Sequence, residues 1–226
     1  MPSVSHSEVD SYLLCRRKHY YGYGLSLERV SKSQALATGT AGHKVLEVFY
    51  QHLLDLADTA EGQLERFDLG LEKAKEEYQS ILASGYEEAS NRASLYDTLF
   101  HEEWGYFANE FLVRNGWVIL ATEQEFSLVY DEETDSRYPF VVDMIVKDPE
   151  GNYVVIDHKF VYDFYTPGQT DLQPQIPKYI GALRALDYEI VYGAYNMVRT
   201  RKLKTPEASS MSYFMILKPT VDRVLN

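Results

Sequence analysis

Residues 140–160 hold the densest chemistry in the chain. Tyr138–Lys147 and Tyr153–Phe160 are rich in Val, Ile, Phe and Tyr, as strands are. Between them, Asp148-Pro149-Glu150-Gly151-Asn152 has the composition of a turn. If the two segments pair antiparallel with Lys147 opposite Tyr153, Asp143 falls opposite Asp157. Side chains facing across such a pair have Cβ atoms roughly 4.5–5.5 Å apart. Two carboxylates that close, set among Val141, Val142, Ile145, Val154, Val155 and Ile156, repel one another and add no stability. A divalent cation bridging them relieves the repulsion, and hard oxygen ligands favour Mg2+ or Mn2+. Lys159 lies two residues past Asp157, so it shares a strand face and brings an ammonium beside a phosphate oxygen or an attacking water. Asp143, Asp157 and Lys159 together form a workable catalytic set for metal-assisted phosphodiester hydrolysis. The competing reading is a pair of surface acids with a neighbouring salt bridge, and a bulge would spoil the register.

Other residues offer parts of the same chemistry. His43 follows Gly39-Thr40-Ala41-Gly42 and could be a third metal ligand or an ordinary packed histidine. Glu47, four residues on, shares its helical face and could hold or orient it. Gln175 and Tyr179 are also four apart on one helical face, where Tyr179 alone could equally be packing. Glu123 closes a strand-like run, a place where acids are ordinarily at the surface.

These side chains need elements to carry them. Ser7 is expected to cap a helix through Val9, Tyr12, Leu13 and Arg16, broken by Gly22 and Gly24. A second helix is expected from Gly39-Thr40, with Val45, Leu46, Phe49, Leu53 and Leu54 on its apolar face. Residues 62–83 and 91–115 repeat the amphipathic pattern, and Gly116 closes the last helix. Then the period changes. Trp117–Ala121 and Glu125–Tyr130 predict one strand or a pair, followed by the hairpin. Gln175–Leu186 returns to helix, and Tyr188–Arg199 and Ser212–Leu217 read as closing strands. The expectation is one α+β domain over 1–226: a mainly helical portion, 1–116, carrying His43, and a sheet-containing catalytic core, 117–226.

Composition sets the limits. A chain of 226 residues with 45% hydrophobic and 25% charged residues is ordinary for a globular protein and too well mixed for a disordered one. Its apolar runs are short for a membrane helix, and Met1–His6 lacks a signal pattern, which predicts a cytoplasmic protein without a membrane partner. Cys15 stands alone, which rules out an internal disulfide or a multi-thiolate metal site within one chain. The net charge of −12 argues against coating DNA nonspecifically. However, residues 61–103 hold eleven acids against four bases, and two short stretches run the other way. Arg16-Arg17-Lys18-His19 is one; Arg199, Arg201, Lys202 and Lys204 form the other.

Taken in order, several segments resemble the PD-(D/E)XK nuclease superfamily, and most closely its RecB-like exonuclease branch. They are Cys15-Arg16-Arg17-Lys18-His19-Tyr20-Tyr21, Gly39-Thr40-Ala41-Gly42-His43, Glu123, Asp143, Asp157-His158-Lys159 and Gln175-Ile176-Pro177-Lys178-Tyr179. The resemblance implies a central mixed β-sheet flanked by helices, and implies that His43, Asp143, Asp157 and the main-chain carbonyl of His158 hold a Mg2+ or Mn2+ ion. It implies that Lys159 orients or deprotonates the water and stabilises charge on the phosphate. Gln175 and Tyr179 would contact the DNA strand, and Arg16, Arg17 and Tyr20 would lie where DNA enters. Glu123 would support the ligands or hold a second ion, and Glu47 is grouped with it. Val142 stands where the family's name has proline. Cys15 stands where iron–sulfur members of the branch place their first cluster cysteine; the other three are missing, so no iron–sulfur cluster is expected, and Tyr20, Tyr21 and Tyr23 are expected to pack the helix instead.

The function so implied is a metal-dependent deoxyribonuclease, an exonuclease rather than a restriction enzyme. It would process DNA ends in recombination, repair or phage replication. A compact form without a helicase motif resembles phage-type nucleases, which would place it in the host cytoplasm and give it linear DNA and a recombination or replication protein as partners. Two alternatives stay open. One is a catalytically silent DNA-end-binding or assembly module of the same fold, whose hallmark would be loss of the carboxylates or lysine. The other is a metal-dependent hydrolase acting on something other than nucleic acid.

Overall fold

The computed structural model describes residues 4–27, 34–83, 89–171, 173–200 and 212–217. Helix α1 (His6–Leu14) is capped by Ser5, whose hydroxyl accepts the Glu8 N–H at 3.2 Å. The expected cap, Ser7, lies inside the helix. Cys15 is extended (φ −163°) and separates α1 from the single turn α2 (Arg16–His19). The glycines expected to break the helix instead sit in a π-helical turn, Tyr20–Gly24. A Cβ at Gly24 would lie 3.0 Å from the exposed Tyr20 ring, which would have to give by a few tenths of an ångström.

Helix α3 (Gln34–Leu56) begins before the predicted Gly39-Thr40 start. Thr40 is no breaker because its hydroxyl donates to the Leu36 carbonyl at 2.9 Å. The predicted 62–83 helix is two, α4 (Ala60–Glu65) and α5 (Phe67–Ala83). The predicted 91–115 helix is shorter: α6 (Ala89–Phe100) is followed by two 3-10 turns, Phe107–Asn109 and Val113–Asn115. Glu110 accounts for part of this, since its carboxylate takes the N–H groups of Leu112 and Val113 and starts a new turn. Gly116 closes the segment at φ 76°.

Five strands form one mixed sheet in the order β1 (Val118–Asp131), β2 (Ser136–Lys147), β3 (Tyr153–Val161), β4 (Ile190–Arg199) and β5 (Ser212–Leu217). All neighbours are antiparallel except β3 and β4. That parallel pair needs a crossover, made by α7 (Pro167–Asp171) and α8 (Gln175–Ala185). The chain is therefore α+β, with flanking helices and a helical N-terminal part. Of the second basic stretch, Arg199 ends β4; Arg201, Lys202 and Lys204 lie outside the described residues. No helix among the described residues is long and apolar enough to cross a membrane.

Each sheet face buries a separate apolar cluster. Val45, Leu46, Phe49, Tyr50 and Leu53 of α3 pack on Met144, Val154, Ile156 and Ala194. Ile176, Tyr179, Ile180 and Leu183 of α8 pack on Val142, Ile145, Val155 and Met197. Along β3 the two clusters are fed by alternate residues, as strand geometry dictates. Along β2 the alternation slips by one: Phe140 and Val142 join the α8 cluster, whereas Met144 and Val146 join the α3 cluster. The slip falls at Asp143. Glu123 on β1 lies level with it, between the Thr122–Met144 and Gln124–Val142 pairs, in the left-handed region at φ 44°.

Candidate active site

The β2–β3 hairpin has the predicted register, with Lys147 opposite Tyr153 and Met144 opposite Ile156. Asp143 and Asp157 sit one step beyond that last pair, where the ladder opens. Asp143 Oδ2 accepts the His158 N–H at 2.7 Å, which ties β2 to β3 past the end of the ladder. Beside this opening, α3 delivers His43. Its Nδ1 lies 3.5 Å from Asp143 Oδ2, and its ring stands edge-on to that of His158, centroids 6.2 Å apart. Ligand atoms of His43, Glu123 and Asp143 all lie within 4.8 Å of one another. Three residues from α3, β1 and β2, distant in sequence, thus share one spot.

Asp157 is 1% exposed and points to the α8 side of β3. Lys159 Nζ lies 2.7 Å from Asp157 Oδ2 as an ion contact and donates to Gln175 Oε1 at 2.7 Å. Gln175 Nε2 in turn donates to the Tyr179 hydroxyl at 2.8 Å. The helical i, i+4 spacing of Gln175 and Tyr179 therefore carries a relay that ends on the lysine.

Electrostatics follow from this crowding. Burial raises Asp143 above its ordinary value, against the downward pull of the His158 N–H and Lys159. Burial also raises Asp157, the Asp143 charge adds to it, and Lys159 opposes. Glu123 is pushed up to about 7 by burial first, then by Asp143 and Glu47. Burial lowers His43, which favours the neutral imidazole that ligates metals. Both Asp157 oxygens are buried without an aligned hydrogen bond. A cluster of raised carboxylates, an orphaned buried carboxylate and a neutral imidazole is a donor set that fits a hard divalent cation.

The remaining predicted residues fall around this spot. Glu47 accepts from Lys44 Nζ at 2.7 Å instead of holding His43, and its charge adds to that felt by Glu123. Arg16, Arg17 and Tyr20 are exposed on α2 and the π-helical turn, with Arg17 Nε donating to the Tyr21 hydroxyl at 3.0 Å. A cavity of about 520 Å3 is walled by Ser5, the cap of α1, and Ser7 together with Asp143, Gln175 and Tyr179. Ser7 also borders a second, of about 800 Å3, lined by Cys15, Arg17, Lys18 and Tyr21. The two cavities thus share Ser7 between them. Lys178 Nζ, donating to Asp10 Oδ1 at 3.0 Å, holds α1 against α8 beside them.

The family model of the PD-(D/E)XK nuclease superfamily matches residues 3–222. The chain belongs to that superfamily. Membership of a nuclease superfamily whose members use divalent metals supports a phosphodiester hydrolase acting on nucleic acid. No individual curated protein matches the chain.

Sequence reasoning missed four buried residues that form a hydrogen-bonded chain beside this site: Tyr50, Tyr106, Glu110 and Asn196. They lie behind His158 and connect to its imidazole through Asn196 Nδ2, 3.0 Å from His158 Nδ1. One signal was present. Asn196 is the single amide in the otherwise apolar and aromatic core of β4, Tyr192–Val198.

Proposed function

We propose that this chain is a RecB-like, Mg2+- or Mn2+-dependent deoxyribonuclease, an exonuclease that processes DNA ends in recombination, repair or phage replication. The carrying observation is the gathering of His43, Glu123 and Asp143 within 4.8 Å, beside the buried Asp157–Lys159 contact. The RecB-like assignment rests on the ordered motifs from Cys15 to Tyr179, as does the exonuclease assignment. The same reading takes residues 1–226 as one nuclease domain, acting in the cytoplasm of the cell or viral host on linear DNA, with a recombination or replication protein as partner.

In this reading His43, Asp143, Asp157 and the His158 carbonyl hold the cation, and Glu123 and Glu47 support them or hold a second ion. When bound, the cation supplies Lewis acidity and water of lowered pKa. The other contributions come from the chain. Lys159, anchored by Asp157 and Gln175, holds the attacking water and stabilises the charge that develops on the phosphate. Gln175 and Tyr179 line the cleft beside Asp143 and hold the strand. Arg16, Arg17 and Tyr20 meet it further out. The three carboxylates and the lysine are all in place, which favours an enzyme over a silent binding module.

End-labelled linear DNA and closed circular DNA, each with Mg2+ and with Mn2+, test the reading. Linear DNA is expected to be degraded and the closed circle spared. Mn2+ at ~100 times its Kd is expected to raise the melting temperature by roughly 5–10 °C, and Asp157→Ala to remove both effects. Cleavage of the circle would sink the exonuclease assignment. A Mn2+-stabilised protein that cuts neither substrate would be the silent module.

A further inference from the structure

Behind the site runs a chain of buried polar groups that the proposed chemistry does not use. Tyr50, Tyr106, Glu110, His158 and Asn196 are each at most 4% exposed. Tyr50 donates to Glu110 Oε1 at 2.8 Å, and the Tyr50 and Tyr106 hydroxyls are 2.5 Å apart. Asn196 Nδ2 donates to the Tyr106 hydroxyl at 2.6 Å and reaches His158 Nδ1 at 3.0 Å. Burying so many polar groups is costly unless each is satisfied, and an apolar core would serve packing alone at less risk.

The direction of the chain follows from its ends. Glu110 also accepts the Leu112 and Val113 N–H groups at 2.8 and 3.0 Å, so it acts as the acceptor terminus. Tyr50 therefore gives its proton to Glu110 and accepts from Tyr106. Tyr106 has then used its proton and accepts from Asn196. The second N–H of the Asn196 amide is left for His158 Nδ1, which must present a lone pair, so the ring proton resides on Nε2. The ring is fixed in orientation too, stacked on Tyr50 (centroids 5.7 Å apart, 6° between planes) and edge-on to His43 (6.2 Å, 76°).

We infer that the Glu110–Tyr50–Tyr106–Asn196 chain is a positioning device that locks His158 in one tautomer and orientation, and through it the backbone on which the candidate metal ligands meet. The His158 N–H holds Asp143, its ring meets the His43 ring, and its two neighbours, Asp157 and Lys159, face the opposite side of β3. A ring that could turn would let all of these drift. What is positioned rests on the nuclease reading; the lock on the ring does not.

The test uses the full chain with Asn196→Leu, which keeps the bulk and removes both donations. In the metal-free protein, the ring-nitrogen NMR signals of His158 are expected to shift from a pure Nε2–H pattern to a tautomer mixture. Mn2+ affinity measured by calorimetry is expected to fall 10–100-fold, the usual effect of removing a group that orients a ligand. Leu183→Ala, a buried change on the α8 side, is the stability control and is expected to move neither signal. If Asn196→Leu does not fold, Tyr106→Phe removes one oxygen from the middle of the chain, and the same two shifts are expected of it. A folded variant with wild-type ring signals and Mn2+ affinity overturns the inference. Wild-type protein that neither binds Mn2+ nor cuts DNA would overturn the nuclease reading, and the ring signals would still report on the lock.

Discussion

Lys159 is anchored at two points, Asp157 and Gln175, yet retains 24% exposure of its side chain, so its ammonium is both oriented and reachable. Lys159→Ala is therefore expected to leave DNA affinity close to wild type while single-turnover cleavage at saturating enzyme and Mg2+ falls by about 100-fold or more. The loss should appear equally in kcat and kcat/KM, the mark of an interaction made in the transition state. Mn2+ affinity should be unchanged or tighter, since the competing cation beside Asp157 is gone. Cleavage near the wild-type rate under those conditions would show that this lysine has no catalytic role. At this scale Asp157 and Lys159 were readable as one strand face, whereas the setting of Asp143 was not, because the alternation of β2 slips there. Asn196 and Glu110 were not, because the partners of a buried amide or acid are chosen by packing between segments as far apart as residues 50, 106 and 158.

The elements owe their placement to a few close approaches. Gly42 is one: a Cβ there would overlap the Phe160 ring, so α3 lies on β3 at a distance only glycine allows, one residue from His43. Gly42→Ala is expected to destabilise by about 1–3 kcal/mol despite the higher helix propensity of alanine, because the overlap forces the helix outward. Pairing it with Phe160→Leu should restore part of the loss, read by urea unfolding of both variants. The β2–β3 turn supplies a second test. Burial pushes Asp148 up, but hydrogen bonds from the Asn152 amide, the Tyr192 hydroxyl and the Asn152 backbone outweigh it and hold the carboxyl below its ordinary value. A depressed carboxyl stabilises the fold above its unfolded pKa of 3.8 and loses that contribution as pH falls through the folded value. Asp148→Asn is therefore expected to melt below the wild type at pH 7, with the gap closing below about pH 4. Equal gaps at both pH values would show that the charge of Asp148 is not what holds the turn. The hairpin was legible because its turn chemistry is local. The start of α3 was not, because Gly39 and Thr40 have the composition of a break until the Leu36 carbonyl satisfies the threonine.

Across the whole molecule, a net charge of −12 repels nucleic acid except where basic residues cluster. Arg16, Arg17 and Lys18 are exposed, and Arg17 and Lys18 line the cavity that shares Ser7 with the one beside Asp143. Three phosphate contacts would give log Kd against log salt a slope of about 2 for a single strand and about 3 for a duplex. Anisotropy titrations of Arg16→Ala/Arg17→Ala should bring the slope to about 1. A slope untouched by that double change would place the strand elsewhere on the surface. The α+β architecture was legible from the change of period near residue 117 and the strand-rich half that follows. The slip in alternation at Asp143 was not, because it has no signature in residue types.

Along β3, successive residues serve two compartments in turn: Asp157 and Lys159 face α8, and His158 between them faces α3. A codon gained or lost between Val154 and Lys159 would not erode the centre by degrees. It would exchange the compartments, sending a carboxylate among the rings of Tyr50 and Tyr106 and an imidazole toward Gln175. Such a segment can be explored by descent one letter at a time, but its length is not open to trial.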